Sequence, residues 1–181
     1  ELTERMARII RNLRTYARGG AVEARPTSLR LSLDEALNLL EVRFREDAVE
    51  LDANLPDPSL QVIGGTVRLQ QVFVNLISNG IDAMKGRETR RLRISVVETD
   101  AQVEVSVADT GTGINKVDRA NIFDPFYSTK GIGEGTGLGL SISYGIINQF
   151  GGQIETHNDP DGGAVFTVIL KKAGPEETAK V

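Results

Sequence analysis

The chain of 181 residues has no cysteine, which rules out disulfides and thiolate chemistry and fits a reducing compartment. No apolar run approaches the ~18 residues needed to cross a bilayer. The net charge is -4 and the pI is about 5.2, so there is no basic field to hold a phosphodiester backbone, and nucleic acid is not an expected partner. The one histidine, His157, has no second histidine and no carboxylate cluster at ligand spacing. It is read as a surface loop residue at the turn between the last two strands. No Gly-Lys pair occurs, which excludes a Walker A loop, and the dinucleotide pattern G-x-G-x-x-G fails because Leu138 or Leu140 stands where its last glycine belongs. Hydrophobic residues make up 40% of the chain, enough for one sizeable core with an appendage. The chain opens on Glu1 and enters a helical pattern at once, so it is read as a fragment.

The most informative stretch is Gly133-Glu134-Gly135-Thr136-Gly137-Leu138-Gly139-Leu140-Ser141, a glycine-dense loop leading into an apolar helical pattern. Glycine at every second position lets backbone amides close on a ligand. A helix opening there leaves N–H groups unpaired and adds partial positive charge, which favours a phosphate. The plain alternative is a flexible loop capping a helix.

Leu2, Met6, Ile9, Leu13 and Tyr16 form a narrow heptad seam that Gly19-Gly20 ends, and such a helix wants a partner. Residues 21–28 read as a linker. Leu29 and Leu31 predict a short strand, and Ser32 with Glu35 predicts a capping box opening a helix to about Asp47. Short strands are expected around Val49 and Leu51 and over Gln61 to Ile63, on either side of Pro56 and Pro58. From Val67 to Met84 the pattern predicts a mostly buried helix with a polar row, Arg68, Gln71, Asn75, Asn79 and Asp82. Asn75 and Asn79 lie four apart, so their amides project from one side. Asparagine is a poor interior helix residue, and two in register suit oxygen ligation of Mg²⁺. A solvated face that happens to carry asparagine is the alternative.

Leu92 to Glu98 and Gln102 to Ala108 alternate and read as an antiparallel hairpin that ends in Asp109-Thr110-Gly111-Thr112-Gly113-Ile114. A carboxylate at a strand end can form a pocket floor and accept a hydrogen bond from an exocyclic amine. Adenine offers that donor, whereas guanine presents a carbonyl. An EF-hand loop fails at Gly111, and the aspartic-protease reading of Asp-Thr-Gly needs a second such carboxylate, available only from a dimer. The roughly 25 residues between Asp109 and Gly135 are long for a connection and suggest a lid. Phe123, Phe126 and Tyr127 would anchor it against the core, with Lys130 reaching a phosphate. A helix over Leu138 to Phe150, a strand through Ile154, a turn at Asp161-Gly162-Gly163 and a last strand from Val165 to Leu170 complete the pattern.

Taken together and in order, these residues resemble the catalytic ATP-binding domain of bacterial sensor histidine kinases, within the gyrase, Hsp90, kinase and MutL ATPase superfamily. Gln71 to Asn79 is similar to the N box of that family, Asp109 to Gly113 to its first glycine box and Phe123 to Phe126 to its F box. Gly135 to Leu140 is similar to the second glycine box, and Gly162-Gly163 through Phe166 to the last. Phe126 to Lys130 and the Gly-Gly-Thr-Val-Arg-Leu-Gln-Gln lead-in look most like the C4-dicarboxylate transport sensor kinases.

The resemblance implies an α/β two-layer sandwich, a mixed and largely antiparallel sheet of about five strands on three helices. It divides the chain into part of the second helix of a dimerisation and phosphotransfer hairpin (1–20), a linker (21–28), the catalytic domain (29–172) and a disordered tail (173–181). The implied cofactors are ATP and Mg²⁺. Asn79 would hold the metal, Asn75 would support the phosphates, and Asp109 would read adenine, with Gly113 leaving room for the base. Gly137 and Gly139 would offer amides to the phosphates. Gly111, Ile114, Phe126, Thr129, Gly135, Thr136, Leu138 and Leu140 join them as contacts. Lys130 is placed with Asn75 in the catalytic role. Asp82 is also counted with the cofactor residues, although it occupies a position where many members carry a cation. Gly80 replaces the usual alanine and should loosen its helix. Ala164 replaces a threonine. Superfamily members that hydrolyse ATP briskly, such as the gyrase-type clamps, carry a glutamate where Asn75 stands. The implied activity is transfer of the γ-phosphate to a histidine on the hairpin of a homodimer, with a response regulator downstream. The domain would be cytoplasmic in an inner-membrane sensor. The acceptor histidine lies outside this sequence. A nucleotide-binding regulatory pseudo-enzyme is the alternative.

Overall fold

A computed structural model of the chain describes residues 24–129 and 136–174. The heptad seam within 1–20, Lys130, Gly133, Gly135 and residues 175–181 of the expected disordered tail lie outside the described residues, whereas Ala173, also expected in that tail, donates its N–H to Gln61 O at 2.9 Å. A first strand, β1 (Arg25–Ser28), runs directly into helix α1 (Leu29–Glu46). This differs from the expected strand at Leu29 and Leu31, and it places a strand inside the expected linker. Ser28 rather than Ser32 caps the helix, its Oγ accepting from Leu31 N at 3.3 Å. Ser32 is buried one turn in, its hydroxyl donating to Ser28 O at 3.2 Å. Leu29, Leu33, Ala36 and Leu40, spaced four, three and four, form the buried stripe, whereas Leu31 is 48% exposed. The helical period over eighteen residues therefore outweighs the two-residue alternation at its start.

Strand β2 (Glu50–Ala53) and strand β3 (Gln61–Gly64) precede helix α2 (Thr66–Ala83). β3 pairs antiparallel with β1 in a small separate sheet. Strands β4 (Arg91–Glu98) and β5 (Gln102–Asp109) make the expected hairpin, and helix α3 (Gly139–Gln149) leads to β6 (Gln153–Asn158) and β7 (Ala164–Lys171). The main sheet has the order β2-β4-β5-β7-β6. Only the β2–β4 pairing is parallel, so the sheet is mixed and largely antiparallel, as the resemblance implies. His157 lies in β6 opposite Val165 and is exposed, so it is a strand residue rather than the expected turn residue.

The apolar faces meet between the helices and one face of the sheet. Leu69, Val72, Phe73, Leu76 and Ile77 of α2, Ile142, Ile146 and Ile147 of α3, and Leu92, Ile94, Val168 and Leu170 of the sheet are all buried. On β5 the buried row is Val103, Val105, Val107 and then Asp109. A strand sends every second side chain to the same face, so the last residue of β5 turns its carboxylate inward beneath α2.

Candidate functional site

Asp109 is 6% exposed and lies at the end of a row of core valines. Its Oδ1 accepts from Gly111 N at 2.8 Å and from Ala164 N at 3.3 Å. The turn after β5 and the first residue of β7 thereby hold the carboxylate. Its Oδ2 takes no hydrogen bond among the described residues and remains available to a donor. Gly80 of α2 passes directly over it, and a Cβ at that position would meet Leu92 Cδ1 at 3.0 Å and Asp109 Cβ at 3.3 Å. The departure from alanine thus accommodates a close helix-on-sheet approach, as well as weakening the helix.

Asp109 opens onto a cavity of about 650 Å³, within the range of small-molecule sites. Of the residues expected at the site, Asn79, Asp82, Gly113, Ile114, Thr129, Thr136, Gly137, Gly139 and Leu140 line it with Asp109. Gly111 is not among the lining residues and serves the floor by donating to Asp109. Leu138 is 5% exposed and packs in the core at the start of α3. Phe126 is 62% exposed with φ 68, its N–H donating to Gly137 O at 2.9 Å. It therefore does not anchor the connection to the core. That task falls to Phe123 and Tyr127, both packed against the core; the Phe123 ring also meets the tilted ring of Tyr144 at 5.2 Å, whereas the Tyr127 hydroxyl donates within the connection to Asp118.

Asn79 lines the cavity and makes no side-chain hydrogen bond among the described residues, so its amide oxygen suits a hard cation such as Mg²⁺. Asn75, one turn earlier, points elsewhere. Its Nδ2 donates to Gly139 O at 3.1 Å and to Ser143 Oγ at 3.2 Å, tying α2 to the first turn of α3. α3 has no side-chain cap, which leaves the amides of its first turn to a ligand. Asp82 accepts from Arg43 at 2.8 Å and pairs with Lys85 at 3.0 Å. Lys85 is the only lysine or arginine among the described residues lining the cavity. Asn115, Asp118, Tyr127 and Phe166 also line it, and sequence reasoning assigned none of them a ligand contact.

Burial pushes the Asp109 carboxyl above its ordinary value of 3.8, against the opposing pull of the Gly111 and Ala164 amides. The folded chain therefore holds this proton to higher pH than the unfolded chain. The associated stability is present at acid pH and is lost as pH rises from 3.8 through the raised value. An amine donor on Oδ2 would favour the charged form and bring the value back down. A carboxyl-carbon NMR titration is expected to place Asp109 above its ordinary value in the free domain and lower with adenine nucleotide bound. An identical titration in both states would exclude the amine contact.

The Asp109 floor, the helix that carries Asn79 and the uncapped start of α3 border one cavity, and the family match defines the class as an ATPase-type domain. The chain belongs to the histidine kinase-, DNA gyrase B- and HSP90-like ATPase family, whose model matches residues 64–174. It is 41% identical over 175 residues to the C4-dicarboxylate transport sensor protein DctB of Rhizobium meliloti (strain 1021), which covers 96% of this chain and 27% of that protein. Among solved structures, the catalytic domain of histidine kinase ThkA matches with a TM-score of 0.72 at 31% identity, over 84% of this chain and all of that one. Histidine kinase ThkA in complex with response regulator protein TrrA matches with a TM-score of 0.75 at 27% identity, over 94% of this chain and 49% of that one. The chain thus spans about a quarter of the length of the sensor protein it resembles. The family does not favour the protease reading of Asp109-Thr110-Gly111.

Proposed function

We propose that this domain binds Mg-ATP in the cavity and donates the γ-phosphate to a histidine on a dimerisation hairpin, as the kinase half of a two-component sensor. The observation that carries the reading is the divided Asp109 carboxylate, with one oxygen held by two backbone amides and the other left for the adenine amine. Asn79 would hold the metal, which when bound supplies positive charge to the phosphates. The amides of Gly137 and Gly139, with Gly135 and Lys130, would hold the phosphate end. Asn75 would act through Gly139, fixing the start of α3 where the phosphates meet it. An amide cannot take a proton from water as a carboxylate can, so Asn75 gives water no general base and the γ-phosphate is kept for a better nucleophile. The imidazole nitrogen attacks γ-phosphorus, the bond to the β,γ-bridging oxygen breaks, and ADP leaves. Alignment and charge neutralisation carry this step.

Residues 1–20 would supply part of the hairpin's second helix, and a response regulator would be the next acceptor. The domain would lie on the cytoplasmic side of an inner-membrane sensor. No helix among the described residues is long and apolar enough to cross a membrane. Calorimetry with Mg²⁺ should show ATP and ADP binding. Labelled γ-phosphate should then move to a histidine-bearing hairpin supplied in trans, and not to one lacking the histidine. Absence of nucleotide binding would overturn the reading, and binding without transfer would leave a regulatory pseudo-enzyme.

A further inference from the structure

The side chain of Asn158, at the end of β6, reaches across to the connection that follows β5. Its Oδ1 accepts from Ile114 N at 2.8 Å, and its Nδ2 donates to Ile114 O at 2.9 Å. One side chain thus satisfies both polar groups of one backbone residue, as a neighbouring strand would. The turn after β6 does not need this side chain. Asp159 N donates to Gly163 O at 3.2 Å, Gly162 N to Asp159 O at 3.0 Å and Asp161 N to Asp159 Oδ1 at 2.9 Å, which closes the turn without Asn158.

The placement matters more than the bonds. Gly113 and Ile114 line the cavity. Asn158 faces Ala164 across the β6–β7 ladder, and Ala164 N donates to Asp109 Oδ1. The end of one strand pair therefore carries both a bond to the floor of the cavity and a clamp on its wall. We propose that Asn158 is a positioning residue for the nucleotide site, holding Ile114 and Gly113 at a fixed spacing from Asp109 so that the wall beside the base is already in place before binding. The proposal rests on the adenine reading given above. Without the clamp the backbone of Ile114 is solvated instead, which changes the free domain little. A bound base must then order that wall itself, and affinity falls. Because the wall borders the base, the loss is common to adenine nucleotides whatever their phosphates.

The test compares wild type with Asn158→Ala in the same chain, measuring ATP and ADP affinity by calorimetry and the melting temperature without nucleotide. Two lost hydrogen bonds at a partly solvated site predict about a tenfold weakening for both nucleotides. The ATP-to-ADP affinity ratio and the melting temperature of the free domain should stay unchanged. Hydrogen exchange at the Ile114 amide should quicken in the variant. Unchanged affinities would overturn the proposal, as would a loss matched by a lower melting temperature of the free domain. If wild type itself bound neither nucleotide, the adenine reading would fall instead.

Discussion

Asp109→Asn is expected to weaken ATP binding by about 100-fold while leaving the domain folded. The argument follows from the two amides on Oδ1. Gly111 N and Ala164 N are both donors, so an asparagine must turn its oxygen to them and its NH₂ into the cavity. The exocyclic amine of adenine is also a donor, so two donors meet where one acceptor stood. Losing the bond and leaving both groups unpaired amounts to about 2–3 kcal/mol. The same substitution removes a charge that burial disfavours, so the free domain should melt no lower than wild type at neutral pH. A carbonyl at the same edge of the purine would accept from the new NH₂, so the ratio of GTP to ATP affinity should rise. Calorimetry with both nucleotides tests this, and an unchanged ATP affinity would remove Asp109 from the base site.

The second large effect is expected at Gly163. Its φ is 92, and a Cβ there would lie 1.8 Å from Asp109 O and 3.0 Å from Thr110 Cα. Those atoms are backbone, so no flexible side chain can yield and the floor must separate from β7. Gly163→Ala should cost about 4 kcal/mol, lower the melting temperature by about 12 °C and abolish nucleotide binding. Gly162→Ala is the control. That residue has φ 103, but a Cβ would meet nothing within 4 Å, so backbone strain alone should cost about 1–2 kcal/mol. Equal melting temperatures for the two variants would show that the close approach to Asp109 is not what requires glycine.

Much of this was legible before any coordinates, where one period dominates a long segment. The 3.6-residue pattern gave α2 almost to the residue, and strict alternation gave the β4–β5 hairpin. The Asp109 and Asn79 assignments rested on motifs whose residues the fold does bring to one cavity. Reading failed where two periods compete within a few residues. Leu29 and Leu31 alternate like a strand but begin a helix, because the longer stripe through Leu33, Ala36 and Leu40 buries more apolar surface. The partners of Asn75 and Asn158 were also invisible. Gly139 lies 64 positions from Asn75, and Ile114 lies 44 from Asn158. No local pattern specifies contacts of that separation. A pair of asparagines in register signals that Asn75 has a task, and the fold adds a cross-helix tie that the spacing alone does not show.

That tie also governs how the domain can deform. Nδ2 of Asn75 carries two hydrogens and has two acceptors on α3, so neither helix can slide or roll past the other without breaking bonds inside the layer. Helices α2 and α3, which border the cavity through Asn79 and Gly139, are thereby coupled and move as one block.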